Sequence, residues 1–83
     1  MYTIYAVYNQ KHKKIYIGQT ADLTTRVRMH NDGTFSTSYT ARFDGVWTVI
    51  YSEEVSSREE ALRREKQLKS FRGREFVKTH IPG

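Results

Sequence analysis

Two runs rich in β-branched and aromatic residues, separated by a short polar segment, constrain the fold of this chain more than any other feature. Residues 2–8 read Tyr-Thr-Ile-Tyr-Ala-Val-Tyr, and residues 14–18 read Lys-Ile-Tyr-Ile-Gly. This composition favours β-strands. Because residues 9–13 between the runs are polar, we expect a turn there, and the two strands then form a hairpin.

The hairpin places two tyrosines on a common face. Successive side chains of a strand point to opposite faces of its sheet, so Tyr5 lies opposite Ile4, and Tyr16 lies opposite Ile15 and Ile17. If the three isoleucines face the core, both tyrosines share the other face. A tyrosine on a strand is usually a packing residue, so the pair indicates a site only if other functional side chains lie near it.

The middle of the chain predicts a helix followed by a loop. The helix covers residues 22–31, with Asp22 or Thr20 as its N-cap and Gly33 beyond its end. Residues 32–45 are rich in Ser, Thr and Gly. We expect them to form a loop or broken helix that is able to close over a ligand.

The second half of the chain predicts a strand over residues 46–52 and a helix over 58–70. Ser57 and Glu60 are spaced as a capping box, which fixes the start of that helix. A last helical segment is expected from Arg72 or Arg74 to Thr79. Its packing residues are Phe71, Phe76 and Val77. The element order is therefore β-β-α-β-α-α, an α+β fold in which helices flank a three-stranded sheet.

A carboxylate interrupts the apolar stripe of the helix over 58–70. On a helical wheel, Glu65 lies between Leu62 and Leu68. A carboxylate on the buried side of a helix is costly unless it meets a cation, a metal or hydrogen-bond donors. The simplest partners are arginines, Arg26 or Arg64, and the alternative is a metal ion.

Charge and composition limit the partners of the chain. The net charge is +5 and the pI is about 9.7, which favours a polyanionic partner, nucleic acid more than membrane. There are no cysteines, so disulfides and Cys-based zinc sites are excluded. No apolar run approaches the ~18 residues of a membrane span. We therefore expect one domain over residues 1–83 and a cytoplasmic protein.

Four side chains form a candidate catalytic set: Tyr5, Tyr16, Arg26 and Glu65. Arg26 and His30 are one helical turn apart and point the same way. Phosphodiester hydrolysis needs a base for water, a cation for the phosphate and usually a metal. A guanidinium matches phosphate geometry, and one carboxylate is enough to hold a Mg²⁺ that keeps most of its waters.

The motifs around these residues, in this order, resemble the GIY-YIG nuclease domain. They are Thr3-Ile4-Tyr5, Tyr16-Ile17-Gly18, Asp22-Leu23-x-x-Arg26-x-x-x-His30-Asn31 and Glu60-Ala61-Leu62-Arg63-Arg64-Glu65-Lys66-Gln67-Leu68-Lys69. The match is strongest to the small stand-alone bacterial branch, which is similar to the incision module of the bacterial excision-repair endonuclease and to intron homing endonucleases. The resemblance extends from Tyr2 to about Lys78.

The resemblance implies a three-stranded antiparallel sheet and a role for each site residue. Tyr5 and Tyr16 become the paired active-site tyrosines, Arg26 stabilises phosphate, and Glu65 is the sole ligand of one Mg²⁺ or Mn²⁺ ion. His30 matches a family position near the site that is sometimes catalytic, so the resemblance adds it to the candidate catalytic residues. Either tyrosine is the general base; we favour Tyr5, with Tyr16 orienting water. The chain departs from the family in having Thr3 for the motif glycine and no asparagine after Glu65.

The resulting hypothesis is a metal-dependent DNA endonuclease of DNA repair or recombination, structure-selective or weakly sequence-specific. The alternatives are a non-catalytic nucleic-acid-binding module and an RNA-directed nuclease. An intact catalytic set favours the enzyme, because a carboxylate in a basic surface repels phosphate unless a metal intervenes. The candidate nucleic-acid contacts are Lys14, Arg28, Arg63, Arg64, Lys66, Lys69, Arg72 and Arg74.

Overall fold

A computed structural model describes residues 1–31 and 43–82 of the chain. Its elements follow the expected order β-β-α-β-α-α. They are β1 (Tyr2–Asn9), β2 (Lys14–Thr20), α1 (Leu23–Asn31), β3 (Trp47–Val55), α2 (Arg58–Lys69) and α3 (Phe71–Lys78). The predicted α+β fold is confirmed. Segment 32–42, which holds Gly33 and most of the predicted closing loop, lies outside the described residues.

The sheet is antiparallel, with the strands in the order β2-β1-β3. The central strand β1 pairs Tyr5 with Gly18 of β2 on one side and with Ser52 of β3 on the other. The register between β1 and β3 shifts between Ala6 and Val7. Strand β2 is an edge of the sheet, so groups on β2 are accessible from the side as well as from the faces.

Helices cover both faces of the sheet, as the alternation in β1 requires. One face buries Ile4, Ala6 and Ile17 against α2 and α3. Its helical contacts are Ala61, Leu68 and Val77. The other face buries Tyr5, and α1 covers it. The residues packed there are Val7, Trp47, Tyr16, Leu23 and Val27. The prediction that both tyrosines share the face opposite the isoleucines is therefore confirmed.

Helix caps fix where α1 and α2 begin. Asp22 caps α1: its Oδ1 accepts from the Thr25 backbone N–H at 3.2 Å and its Oδ2 from the Thr25 hydroxyl at 2.7 Å. Of the two candidates, Asp22 is thus the cap, while the Thr20 hydroxyl accepts from the Asp22 N–H at 3.1 Å. The predicted cap at Ser57 is confirmed, since its side chain accepts from the Glu60 N–H at 3.2 Å. Each cap satisfies a donor that the first helical turn leaves open.

The C-terminal packing differs from the sequence prediction. Strand β3 runs three residues past Ser52, and α3 begins at Phe71 rather than at Arg72 or Arg74. Of the expected packing residues only Val77 is buried; Phe71 is 79% exposed and Phe76 43% exposed. Leu62, which is 47% exposed, also leaves the core. The reason is that α2 contacts the sheet along the narrow line from Ala61 to Leu68, two turns apart on one side of the helix.

Candidate active site

The buried hydroxyl of Tyr5 hydrogen-bonds to an imidazole. Tyr5 on β1 is 1% exposed and His30, in the last turn of α1, is 6% exposed. The Tyr5 Oη and the His30 Nε2 lie 2.8 Å apart. The sequence placed His30 near the site only through the family resemblance and gave it no partner. The bond exists because α1 lies across the sheet face on which Tyr5 stands.

Tyr16 completes a cluster of three rings. Its ring centroid lies 6.3 Å from that of Tyr5 and 5.0 Å from that of His30. Gly18 makes the cluster possible, because a Cβ at this position would lie 3.0 Å from both the Tyr16 ring and the Tyr5 hydroxyl. Gly18 therefore leaves space for the two phenols. The Tyr16-Ile17-Gly18 motif contains this glycine, but the sequence does not show the reason for it.

Burial keeps both members of the hydrogen bond neutral. The pKa of Tyr5 is raised, first by burial and then by Tyr16, with Glu65 adding to the rise and Arg26 opposing it. The pKa of His30 is lowered, first by burial and then by Arg26. Arg26 and Glu65 therefore act electrostatically on Tyr5, although they come from helices on opposite faces of the sheet. At neutral pH the phenol holds its proton and the imidazole is able to accept one.

Glu65 forms an ion pair with Lys69 rather than with Arg64, one of the two arginines that the sequence suggested as its simplest partners. The Glu65 Oε2 and the Lys69 Nζ lie 2.7 Å apart, one helical turn along α2. Arg64 instead donates to Glu53 on β3 at 2.8 Å. The Glu65 side chain is 21% exposed, less buried than its place on the predicted stripe implied.

Among the described residues, Glu65 is the single carboxylate proposed to bind a divalent ion near the two tyrosines. Within residues 1–31 and 43–82, no three His, Asp or Glu side chains are grouped as a metal cluster. Magnesium does not need one, because it keeps several waters and takes one or two carboxylates together with substrate phosphates. Partly exposed Glu65, close enough to act on the Tyr5 phenol, fits that requirement once Lys69 releases it.

A pocket of about 310 Å³ opens beside Tyr16, at the edge of the sheet. Its lining residues are Ile15, Tyr16, Ile17, Lys69 and Arg74. We call it the β2-edge pocket. Its walls come from β2, and its two cations come from the end of α2 and the start of α3. The ring cluster and the pocket share Tyr16, so they are adjacent.

The other candidate nucleic-acid residues are spread over the surface. Arg63 and Arg64 line a separate depression with Glu53 and Glu60. Lys14 lies over the Phe43 ring, 5.6 Å from its centroid. Three more are exposed: Arg28, Lys66 and Arg72. The candidate nucleic-acid residues between 63 and 74 therefore line two separate depressions or neither, and only Lys69 and Arg74 line the pocket beside Tyr16.

A histidine that the sequence left without a role holds the hairpin turn. His12 Nε2 lies 2.6 Å from the Asp44 carboxylate, which Lys11 also contacts. Hydrogen bonds from Lys11 and His12 lower the pKa of Asp44 to about 2. Asn9, fully buried, donates to the Asp44 carbonyl at 2.9 Å. These contacts tie the turn between β1 and β2 to the chain that enters β3.

No helix among the residues that the structure describes is long and apolar enough to cross a membrane. No curated protein sequence matches the chain. A solved structure does: the solution NMR structure of a UPF0213 protein from Bacillus halodurans is 28% identical, with a TM-score of 0.55. The match covers 100% of this chain and 88% of that one. Residues 1–76 match the family model of the GIY-YIG catalytic domain, and the chain therefore belongs to the GIY-YIG family.

Proposed function

We propose that this protein is a metal-dependent endonuclease that hydrolyses DNA phosphodiester bonds. The hydrogen bond between Tyr5 and His30 supports the proposal most directly. A buried phenol needs a hydrogen-bond partner in any core, and here that partner is an imidazole, a group that is able to accept and return a proton. Family membership supports a nuclease-type fold; the reaction on DNA is our proposal.

Tyr5 acts through His30 in this mechanism. Burial disfavours the phenolate, so Tyr5 does not work as a free anionic base. With the imidazole proton on Nδ1, the His30 Nε2 accepts the Tyr5 proton while the Tyr5 oxygen takes a proton from the attacking water. The phenol stays neutral, and the imidazole carries a positive charge only transiently, because burial and Arg26 oppose that charge. The relay requires the attacking water to reach the buried Tyr5 hydroxyl, and Tyr16, which is less buried and lines the β2-edge pocket, orients that water.

Arg26 and Glu65 supply the charges. The Arg26 guanidinium matches the phosphate that becomes more negative in the transition state. Glu65 would hold one Mg²⁺ or Mn²⁺ ion after exchanging its bond to Lys69. A bound ion of this kind neutralises phosphate charge and lowers the pKa of a coordinated water. The carboxylate then serves the site without repelling the substrate.

The substrate and the setting follow from the basic surface. With a net charge of +5 and no cysteines, the chain suits a nucleic-acid partner in a reducing compartment, and we place it in the cytoplasm, in DNA repair or recombination. Contacts to phosphates carry no sequence information, so we expect structure-selective or weakly specific cleavage. The proposed contacts are Lys14, Arg28, Arg63, Arg64, Lys66, Lys69, Arg72 and Arg74.

The test is cleavage by the purified protein with Mg²⁺ or Mn²⁺. The substrates are linear, nicked, flapped and branched DNA, with an RNA control. Glu65→Gln is the inactive variant, and Glu59→Gln, in the exposed first turn of the same helix, is its matched control. Cleavage of DNA by wild type and the control but not by Glu65→Gln supports the proposal. Binding without cleavage would favour a binding module, and cleavage confined to RNA would favour the RNA-directed alternative.

A further inference from the structure

The β2-edge pocket has the composition of a nucleotide-backbone site. Ile15 and Ile17 give it apolar walls, and Lys69 and Arg74 give it two cations. Its volume of about 310 Å³ lies at the lower end of the ~300–1,000 Å³ range of small-ligand pockets. Apolar walls suit a sugar, and paired cations suit a phosphate.

Arg74 is held at this pocket by backbone contacts. Its Nε donates to the Lys69 carbonyl at 3.0 Å. That bond uses one of five guanidinium donors, and the Arg74 side chain makes no other hydrogen bond among the described parts of the chain. The Arg74 N–H also donates to the Ser70 carbonyl at 2.9 Å, which fixes the first turn of α3.

Gly73 sets how closely this turn approaches α2. A Cβ at Gly73 would lie 2.2 Å from the Gln67 carbonyl oxygen and 2.4 Å from the Leu68 Cα. Both are backbone atoms, which cannot move aside as a flexible side chain does. The Gly73 N–H is fixed as well, since it donates to the Ser70 hydroxyl at 3.2 Å. The glycine therefore lets the two helices touch and brings Arg74 beside Lys69.

The β2-edge pocket lies next to the proposed active site. Tyr16 lines it, and the same ring lies 5.0 Å from His30 in the ring cluster. Lys69 also bonds Glu65, which links the pocket to the proposed metal ligand. Arg63 and Arg64 line another depression, but two carboxylates, Glu53 and Glu60, line it as well, whereas no carboxylate among the described residues lines the β2-edge pocket.

We propose that the β2-edge pocket binds the phosphate next to the one that is cleaved, through Arg74 and Lys69. The proposal rests on the proposed function, because it adds a second phosphate position to that site. The substrate backbone passes from the tyrosines over the open edge of β2 into the pocket. Arg74 is a binding residue for the neighbouring nucleotide, while Arg26 serves the scissile phosphate.

The experiment pairs protein variants with neutral linkages in the DNA. A set of short DNA substrates carries one uncharged methylphosphonate at each linkage in turn. Their affinities are measured in excess chelator for wild type, Arg74→Met and Lys78→Met. Lys78 is the matched control, because it is a cation on the same helix, does not line the pocket and is not one of the proposed nucleic-acid contacts. Arg74→Lys, which retains a cation, reports on folding together with thermal melts.

We expect one linkage, adjacent to the cleaved one, at which neutralisation weakens wild-type binding about two- to five-fold, the range of an exposed ion pair. Arg74→Met should lose that sensitivity, while Lys78→Met and Arg74→Lys keep it. Retention of the full wild-type pattern by a folded Arg74→Met, or sensitivity only at distant linkages, would overturn the pocket assignment and leave hydrolysis untouched. If wild type cuts no DNA but Arg74→Met still loses the single sensitive linkage, the proposed hydrolysis fails and the phosphate pocket stands.

Discussion

Tyr5 and His30, 25 residues apart in the sequence, share a hydrogen bond of 2.8 Å in the interior of the protein. The bond joins the central strand of the sheet to the end of α1. Because burial opposes charge on both groups, it couples a protonated phenol to a neutral imidazole. This coupling makes the proton state of one residue depend on the other, and it shapes the first prediction.

Tyr5→Phe should abolish most cleavage while leaving the fold intact. The change removes only a hydroxyl, and the loss of its buried hydrogen bond to the imidazole should lower the free energy of unfolding by about 1–3 kcal/mol. His30→Gln should reduce the rate similarly, and the double variant should be little worse than either single one, because groups of one catalytic unit are non-additive. Single-turnover cleavage and thermal melts check this. Strictly multiplicative effects of the two changes would contradict the relay.

Tyr16→Phe should also remove most activity, because this phenol orients the water that Tyr5 deprotonates. Tyr16 lies at the border of the β2-edge pocket, so the same variant should bind DNA nearly as wild type does. The measurement is single-turnover rate against affinity. If both Phe variants cut at the wild-type rate, the tyrosines are packing residues, and a binding module becomes the better hypothesis.

Arg26→Ala should slow the chemical step far more than it weakens binding. Loss of one transition-state donor costs ~10²–10³ in kcat. Since Arg26 also lowers the pKa of His30, that pKa should rise in the variant, and NMR titration of the imidazole would detect the change. An unchanged single-turnover rate would mark Arg26 as a surface residue, and an unchanged titration would contradict its electrostatic coupling to His30.

The lowered pKa of His30 should appear in the dependence of stability on pH. The unfolded chain protonates this imidazole near 6.5, whereas the folded protein protonates it only at lower pH. Below 6.5 the unfolded state therefore binds more protons, and stability falls as pH drops towards the folded pKa. Urea unfolding between pH ~5 and ~8 should show this loss in wild type and a smaller one in His30→Gln. Parallel curves for the two proteins would contradict it.

Gly73→Ala should destabilise the protein and displace Arg74. The added methyl would lie 2.2 Å from the Gln67 carbonyl oxygen. Because overpacking of this kind is destabilising, we expect the free energy of unfolding to fall by ~1–3 kcal/mol. Differential scanning calorimetry measures the loss of stability. Ser52→Ala, at an exposed position of β3, serves as a neutral control. A melting temperature equal to that of wild type would show that α3 packs against α2 more loosely than the structure has it.

Patterns within one helix or strand predicted the features that neighbouring residues decide, such as the face of a side chain and the start of a helix. Strand alternation put Tyr5 and Tyr16 on one face, and the spacing of Ser57 and Glu60 fixed the start of α2. Both follow from geometry that each residue shares with its near neighbours. The ordered motifs also indicated the GIY-YIG family, because they hold together residue types that packing alone does not require.

The sequence erred where neighbouring elements compete for a residue. Its apolar stripe on α2 included Leu62, but the contact line from Ala61 to Leu68 leaves Leu62 exposed. Phe71 and Phe76 were expected to pack, yet α3 offers the core little more than Val77. Periodicity shows which residues share a face of a helix; it does not show how wide a contact the neighbouring element makes.

By itself, the amino-acid sequence determined the element order, the cap of α2 at Ser57, the shared face of the tyrosines and the family. Only the tertiary structure decided that Tyr5 bonds His30, that Glu65 pairs with Lys69 and that Arg74 joins Lys69 at the pocket. The physical reason is the separation along the chain between the residues that interact. Alternation and capping arise within a few bonded neighbours, whereas these contacts depend on distances between separate elements, which packing of the whole core sets.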